Sequence, residues 1–244
     1  MVIEFGNEIP PRSFDRILPE KLRQQRIRID PLLLPGMADS VRGLREQAAH
    51  WAAQIGGTRL SAVLAYCSAA RLAALLVDAL GDPGIPLILL DPVIPGPDSP
   101  QRLLHELALS MDDALGPKIP RLEGLPPDMA LARASQFLRF VATRCAPDLD
   151  EDIADELTTG QRAWLSYTLS AATADQSWQV PGHVLLSAAM AWDADDARSV
   201  QQTGLSETEL FLSPEVKSAL TELLSHTTAT HTPTERRLPC CPHS

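Results

Sequence analysis

A chain of 244 residues, 45% hydrophobic and 21% charged, can bury one large globular core or two small ones. Its formal net charge of −10 excludes a nucleic-acid binder, which needs a basic surface against phosphate. Its apolar stretches all fall short of the ~20 residues a membrane helix requires, so no membrane partner is expected.

Met1-Val2-Ile3-Glu4-Phe5 reads as a short strand. It lacks the basic stretch, apolar core and cleavage site of a secretory leader, so a cytoplasmic protein is expected. Residues 13–24 carry Phe14, Ile17, Leu18 and Leu22 at helical spacing. Residues 26–34 read as a strand closed by Pro35-Gly36. Ser40 can cap a helix that runs to Ile55, with Val41, Leu44, Ala48 and Trp51 on one face and Gly56-Gly57 at its end. Residues 60–64 form a short buried strand, and residues 69–80 an Ala/Leu helix with hardly a polar face. Residues 87–90 are a continuous apolar run of the parallel-sheet kind. This alternation predicts an α/β fold with a mostly parallel sheet.

The rhythm changes after Pro92, where Pro95, Pro97 and Pro100 follow closely. Helices are predicted over 101–115, 127–146, 150–156 and 160–172, with no strand among them, as a helical insertion or lid over about 95–178. Residues 183–189 resume the strand pattern and 214–224 form a last helix, so a single domain spans 1–224. Residues 225–244, rich in Thr and Pro, read as a disordered tail.

The four cysteines are Cys67, Cys145, Cys240 and Cys241, a spacing that fits neither a disulfide framework nor a zinc site. No Gly-rich phosphate loop and no metal-ligand cluster lies in the folded region, so no metal and no cofactor is expected. Lys21, Arg23, Arg26 and Arg28 form a basic cluster that is either a solvated face or a patch for an acidic partner.

The informative segment is Ala65-Tyr66-Cys67-Ser68-Ala69, where a buried strand turns directly into a buried helix. This is the shape of a nucleophile elbow, G-x-S-x-G, with alanine for both glycines and cysteine for serine. Such a turn pushes its central side chain out at the carboxyl edge of the sheet. The following helix offers free N–H groups to a developing anion. A helix N-terminus also lowers a thiol's pKa, so a reactive thiolate is expected. The residues alone leave a second role open, because free cysteine is often a small buried core residue.

Tyr66-Cys67 with its Ala-rich helix, followed by Leu87-Ile88-Leu89-Leu90-Asp91-Pro92, resembles the thioesterases of polyketide and nonribosomal peptide synthesis. These α/β-hydrolases carry G-Y-S-x-G-G-x-L-A, then a helix, then an apolar strand ending in Asp. Leu34-Pro35-Gly36 resembles the loop after the family's second strand, and Gly6-Asn7 stands where its oxyanion turn usually reads His-Gly. The resemblance spans about 1–224 and implies an α/β-hydrolase fold with a helical lid. It implies Cys67 as nucleophile, Asp91 as the acid that orients a histidine, and the backbone N–H groups of Ser68 and Asn7 as oxyanion donors. It also implies an acyl or aminoacyl thioester substrate, tethered through phosphopantetheine to an acyl or peptidyl carrier protein.

The family's late histidine is missing. Gly204-Leu205-Ser206-Glu207 occupies that region, and Glu207 stands in its place. His105, in the lid, and Glu207 are the candidate bases. His183 is expected at the far end of its strand and His50 at the periphery. Asp193, Asp195 and Asp196 read as a solvated loop. Three functions follow as expectations. The first is acyl transfer or cyclisation through Cys67. The second is a non-catalytic scaffold, and the third is an editing hydrolase whose base is His105 or Glu207.

Overall fold

The computed structural model describes residues 1–6, 12–112, 118–146, 150–174, 182–192 and 197–229. Its frame is a six-stranded sheet in the order β2-β1-β3-β4-β5-β6, and every neighbouring pair is parallel. The strands are β1 (Val2–Ile3), β2 (Arg28–Ile29), β3 (Val63–Tyr66), β4 (Leu87–Leu90), β5 (His183–Leu186) and β6 (Ser199–Gln202).

Period-two alternation places the two faces of these strands in separate cores. Ile3, Val63, Ala65, Leu87, Leu89, Val184 and Leu186 face α3 (Leu44–Ile55), α4 (Ala70–Leu80) and α7 (Glu151–Thr173). Val2, Leu64, Ile88, Leu90 and Leu185 face the other way. Their partners come from α1 (Phe14–Ile17), α8 (Glu207–Leu210) and α9 (Pro214–Ala229). The strands β1, β3, β4 and β5 are thus buried on both faces and covered by helices, the α/β-hydrolase arrangement that the sequence predicts.

Between β4 and β5 lie α5 (Ser99–Met111), α6 (Pro127–Cys145) and α7, with no strand among the described residues. Leu104, Ala108, Leu131, Leu138, Leu165 and Leu169 give this insertion a core of its own. The helix α7 belongs to both cores, because its Tyr167 and Ala171 pack on the sheet side. It is also tied across to the first half of the chain. The Ser166 hydroxyl donates to the Ser40 carbonyl at 2.9 Å, and the Ser170 hydroxyl to the Arg42 carbonyl at 2.6 Å.

Several expectations need correction. The helix predicted over 13–24 is two, α1 and α2 (Glu20–Gln24), because Pro19 breaks it. Ser40 caps nothing: α3 starts at Leu44 after Gly43. The two helices predicted around Gly160 are one, α7, since a glycine inside a long helix weakens it without breaking it. Strand β6 was not expected, because its four residues are all exposed and carry no apolar alternation. Helix α9 runs beyond Leu224 to Ala229, so the start of the predicted tail is helical. Residues 230–244, with Cys240 and Cys241, lie outside the described residues, as do Asp193, Asp195 and Asp196.

Candidate functional site

The strand order reverses at β1, which has β2 on one side and β3 on the other. In open α/β sheets ligands bind at the carboxyl ends of the strands flanking such a reversal. Cys67 is the residue directly after β3, and Phe5 lies just beyond β1.

Strand β3 passes without a linker into a 3₁₀ turn, Cys67–Ala69, and then into α4. The turn is possible only if Cys67 takes a left-handed backbone, and its φ is 54°. Such a conformation is strained for a residue with a Cβ. Among the described residues one other non-glycine has positive φ, and it is Asp91, at 40°. The two are neighbours. Tyr66 pairs with Leu90, so Cys67 and Asp91 are each the next residue along adjacent parallel strands. The Val93 N–H donates to the Cys67 carbonyl at 3.1 Å and fastens the loop after β4 to the elbow. Strain concentrated at two polar side chains on one sheet edge is the mark of a functional site.

The elbow is braced from behind. The Tyr167 hydroxyl donates to the Ser68 carbonyl at 2.9 Å. Its ring meets Phe5 edge-on at 5.0 Å and stacks on Trp164 at 5.9 Å. An aromatic wall thus stands beside the nucleophile position, built from the end of β1 and from α7.

Cys67 is half-buried. Burial pushes its thiol above the ordinary value, and the nearby carboxylates Glu207 and Asp91 push it the same way. The Ser68 N–H and hydroxyl act against this, without reversing it. The lowered thiol pKa expected from the helix start is therefore not found. Desolvation outweighs it.

Asp91 is 2% exposed. Its Oδ1 accepts the Ser187 N–H at 2.6 Å, and its own N–H donates to the Leu185 carbonyl at 2.9 Å. Its Oδ2 has no hydrogen-bond partner among the described residues. The Ser187 hydroxyl lies close enough to favour the carboxylate, but no bond between the two meets hydrogen-bond geometry. Burial is the largest influence on Asp91 and raises its pKa.

Glu207 lies in the first turn of α8, which Ser206 caps in a reciprocal box with Glu209. Its carboxylate accepts from Arg12 Nη1 at 2.8 Å and from the Tyr66 hydroxyl. Burial, and next this bond to Glu207, hold the Tyr66 phenol protonated well above its ordinary range. Glu207 is thus brought to the elbow, clamped to the residue before the nucleophile. Arg12 and Tyr66 had no role in the sequence reading. Arg12 sits beside a Pro-rich turn with no local signal, and Tyr66 figures there only as part of the elbow pattern.

His105 is directed elsewhere. Its Nδ1 lies 2.9 Å from the Gln101 carbonyl, and the Gln101 amide bonds to Pro120 and Leu122 within the insertion. His183 is the first residue of β5, at the edge of the sheet opposite Asp91, with Nδ1 2.8 Å from the Ser199 hydroxyl. His50 lies on α3 beside Gln54 and Trp51.

The oxyanion donors are unequal. The Ser68 N–H lies close enough to Cys67 to favour its thiolate. The Gly6 N–H already donates to Asp30 Oδ2 at 2.9 Å, and Asn7 lies outside the described residues. Arg28, from the basic cluster, lies 3.5 Å from the buried Glu4 carboxylate and also bonds the Gly6 carbonyl. Arg26 pairs with Asp15 at 2.6 Å. These two cations thus brace the fold.

Among the described residues no group of three His, Cys, Asp or Glu side chains could hold a metal ion. Among the same residues no helix is long and apolar enough to cross a membrane.

No protein-family model matches the chain, and no curated protein matches it. Among solved structures it is similar to holo-AB3403, a four-domain nonribosomal peptide synthetase bound to AMP and glycine. That overlap has 15% identity and a TM-score of 0.46, and it covers 87% of this chain and 17% of that one. The chain is similar also to the Vlm2 thioesterase domain carrying genetically encoded 2,3-diaminopropionic acid bound with a dodecadepsipeptide. There the identity is 16%, the TM-score 0.43, and the coverage 93% of this chain and 92% of that one. The wild-type Vlm2 thioesterase domain gives 18%, 0.41, 92% and 93%. The strand order and the elbow establish the fold independently of these overlaps.

Proposed function

We propose that this protein is a thioesterase-like acyltransferase or cyclase of natural-product assembly, with Cys67 as the acyl acceptor. The observation that carries this reading is the left-handed Cys67 at the carboxyl end of β3, beside the equally left-handed Asp91. Strain of that kind persists only where the surrounding structure holds it in place.

The substrate is an acyl or aminoacyl thioester presented on the phosphopantetheine arm of a carrier protein. The Cys67 sulfur attacks the thioester carbonyl, and a new C–S bond forms as the carbonyl π electrons move to oxygen. The Ser68 N–H stabilises that oxyanion. Collapse breaks the original C–S bond, and the departing carrier sulfur takes up the proton that Cys67 gave. Exchange of one thioester for another is nearly balanced in energy, so the leaving thiol itself can accept the proton. A strong protein base is then dispensable, which suits a site where Glu207 is clamped by Arg12 and Tyr66. A second nucleophile, from another carrier or from the substrate itself, then attacks the acyl-Cys67 carbonyl and releases the thiol. A nucleophilic thiol must remain reduced, which favours a cytoplasmic setting.

A specific observation favours a second reading, a non-catalytic binding partner: the thiol is held above its ordinary pKa, and among the described residues no histidine acts on it. Hydrolysis with a relocated base would have to use Glu207, since His105 bonds within the insertion.

Intact-protein mass after mixing with acyl and aminoacyl pantetheine thioesters tests the proposal, with Cys67→Ala alongside. A mass gain that needs Cys67 is expected. No gain across the panel would leave the binding reading.

A further inference from the structure

Three buried oxygens at the carboxyl ends of three neighbouring strands have no partner within hydrogen-bond geometry among the described residues. They are Ser68 Oγ after β3, Asp91 Oδ2 after β4 and Ser187 Oγ after β5. A buried acceptor without a donor is costly, and most of all on a carboxylate. Asp91 is 2% exposed and only its Oδ1 is bonded, to the Ser187 N–H. In a complete triad an imidazole N–H would meet the open oxygen, but no histidine among the described residues bonds to it.

The charges agree in sign. Cys67 senses both Glu207 and Asp91 as nearby anions. The cation that Asp91 senses is Arg12, and Arg12 is already paired with Glu207 at 2.8 Å. That pair is neutral as a unit, so it offers no net positive charge to the Asp91 carboxylate beside the elbow. An aliphatic acyl group placed there would leave the Asp91 Oδ2 still without a partner. An acyl group bearing a carboxylate would be repelled. An ammonium has three donors and no acceptor, which is the complement of this edge.

We infer that the acyl group this site accepts is cationic, a short aminoacyl thioester whose ammonium is held by Asp91 beside Cys67. The inference rests on the reading of Cys67 as acyl acceptor, but its test does not require covalent chemistry.

The probes are unreactive amides of aminopantetheine, glycyl and propionyl, which share a shape and differ by one charge. Their affinities for Cys67→Ala protein are measured by calorimetry. The glycyl amide is expected to bind about tenfold more tightly at pH 7, and the Asp91→Asn change should erase that preference. Asparagine keeps the acceptor for the Ser187 N–H, so the fold should survive, as a thermal melt can check. If it does not, Glu207→Gln serves in its place and should narrow the gap. Equal affinities would overturn the inference, as would no binding of either amide. So would a preference that survives every variant that folds. Loading of wild-type protein by propionyl thioester alongside equal amide affinities would sink this inference alone. Absence of loading by any thioester, with the glycyl preference intact, would instead sink the acyl-acceptor reading.

Discussion

Replacing Cys67 by alanine and by glycine separates the strain of the elbow from its chemistry. Both changes remove the thiol, so neither variant should form an acyl-enzyme. They differ in backbone freedom. Alanine keeps a Cβ at φ 54° and keeps the penalty of the left-handed region, about 1–2 kcal/mol. Glycine escapes that penalty and gives back about 0.5–1 kcal/mol through the greater entropy of its unfolded chain. The Gly variant should therefore be more stable than the Ala variant by about 1 kcal/mol. For a domain of this size that is about 2–4 °C in Tm. Thermal and urea denaturation of the two variants side by side measure the difference. An Ala variant equal to or more stable than the Gly variant would refute the strained elbow.

Other expectations concern charge and helix continuity. In a background with Cys145, Cys240 and Cys241 changed to serine, iodoacetamide should alkylate Cys67 with a pH midpoint above the ordinary thiol value. Glu207→Gln should move that midpoint down, because the Glu207 charge pushes the thiol up; an unmoved midpoint would count against their coupling. Asp91→Asn should stabilise the protein at pH 7. The folded-state pKa of Asp91 is raised, so the stability its proton contributes is fully present below the unfolded value of about 3.9 and fades as pH rises through the folded one. The advantage of the Asn variant should thus grow upward from about pH 4, and a constant Tm difference from pH 3 to pH 7 would contradict this. Gly160→Ala should add about 0.5–1 kcal/mol, since the residue sits inside α7 with open space where a Cβ would go. A loss of stability would mean that α7 is broken there.

The parts of the fold legible in the sequence were those with an unbroken local signal. Strand β4 is Leu87–Leu90 as read, because four consecutive apolar residues can only be buried on both faces. The elbow was visible as a strand running into an Ala-rich helix without a linker. Strand β6 was not, since an exposed edge strand has no inner face to pattern. The direction of the Cys67 shift was also out of reach. A sequence shows that a helix begins after the thiol, but not how much protein covers it or that two carboxylates converge on it. Arg12 and Glu207 are 195 positions apart, and only the folded chain brings them together.

The double membership of α7 has a mechanical consequence. A helix that packs Leu165 and Leu169 into the insertion and Tyr167 into the sheet core makes the insertion a cantilever, built in at its root. It cannot swing away as a flap unless Tyr167 leaves its bond to Ser68 and the elbow loses its brace. Any motion of the insertion that spares this brace must therefore move α5 and α6 relative to α7. Amide exchange should report this as slow protection along the 163–171 stretch of α7 and faster exchange in α5.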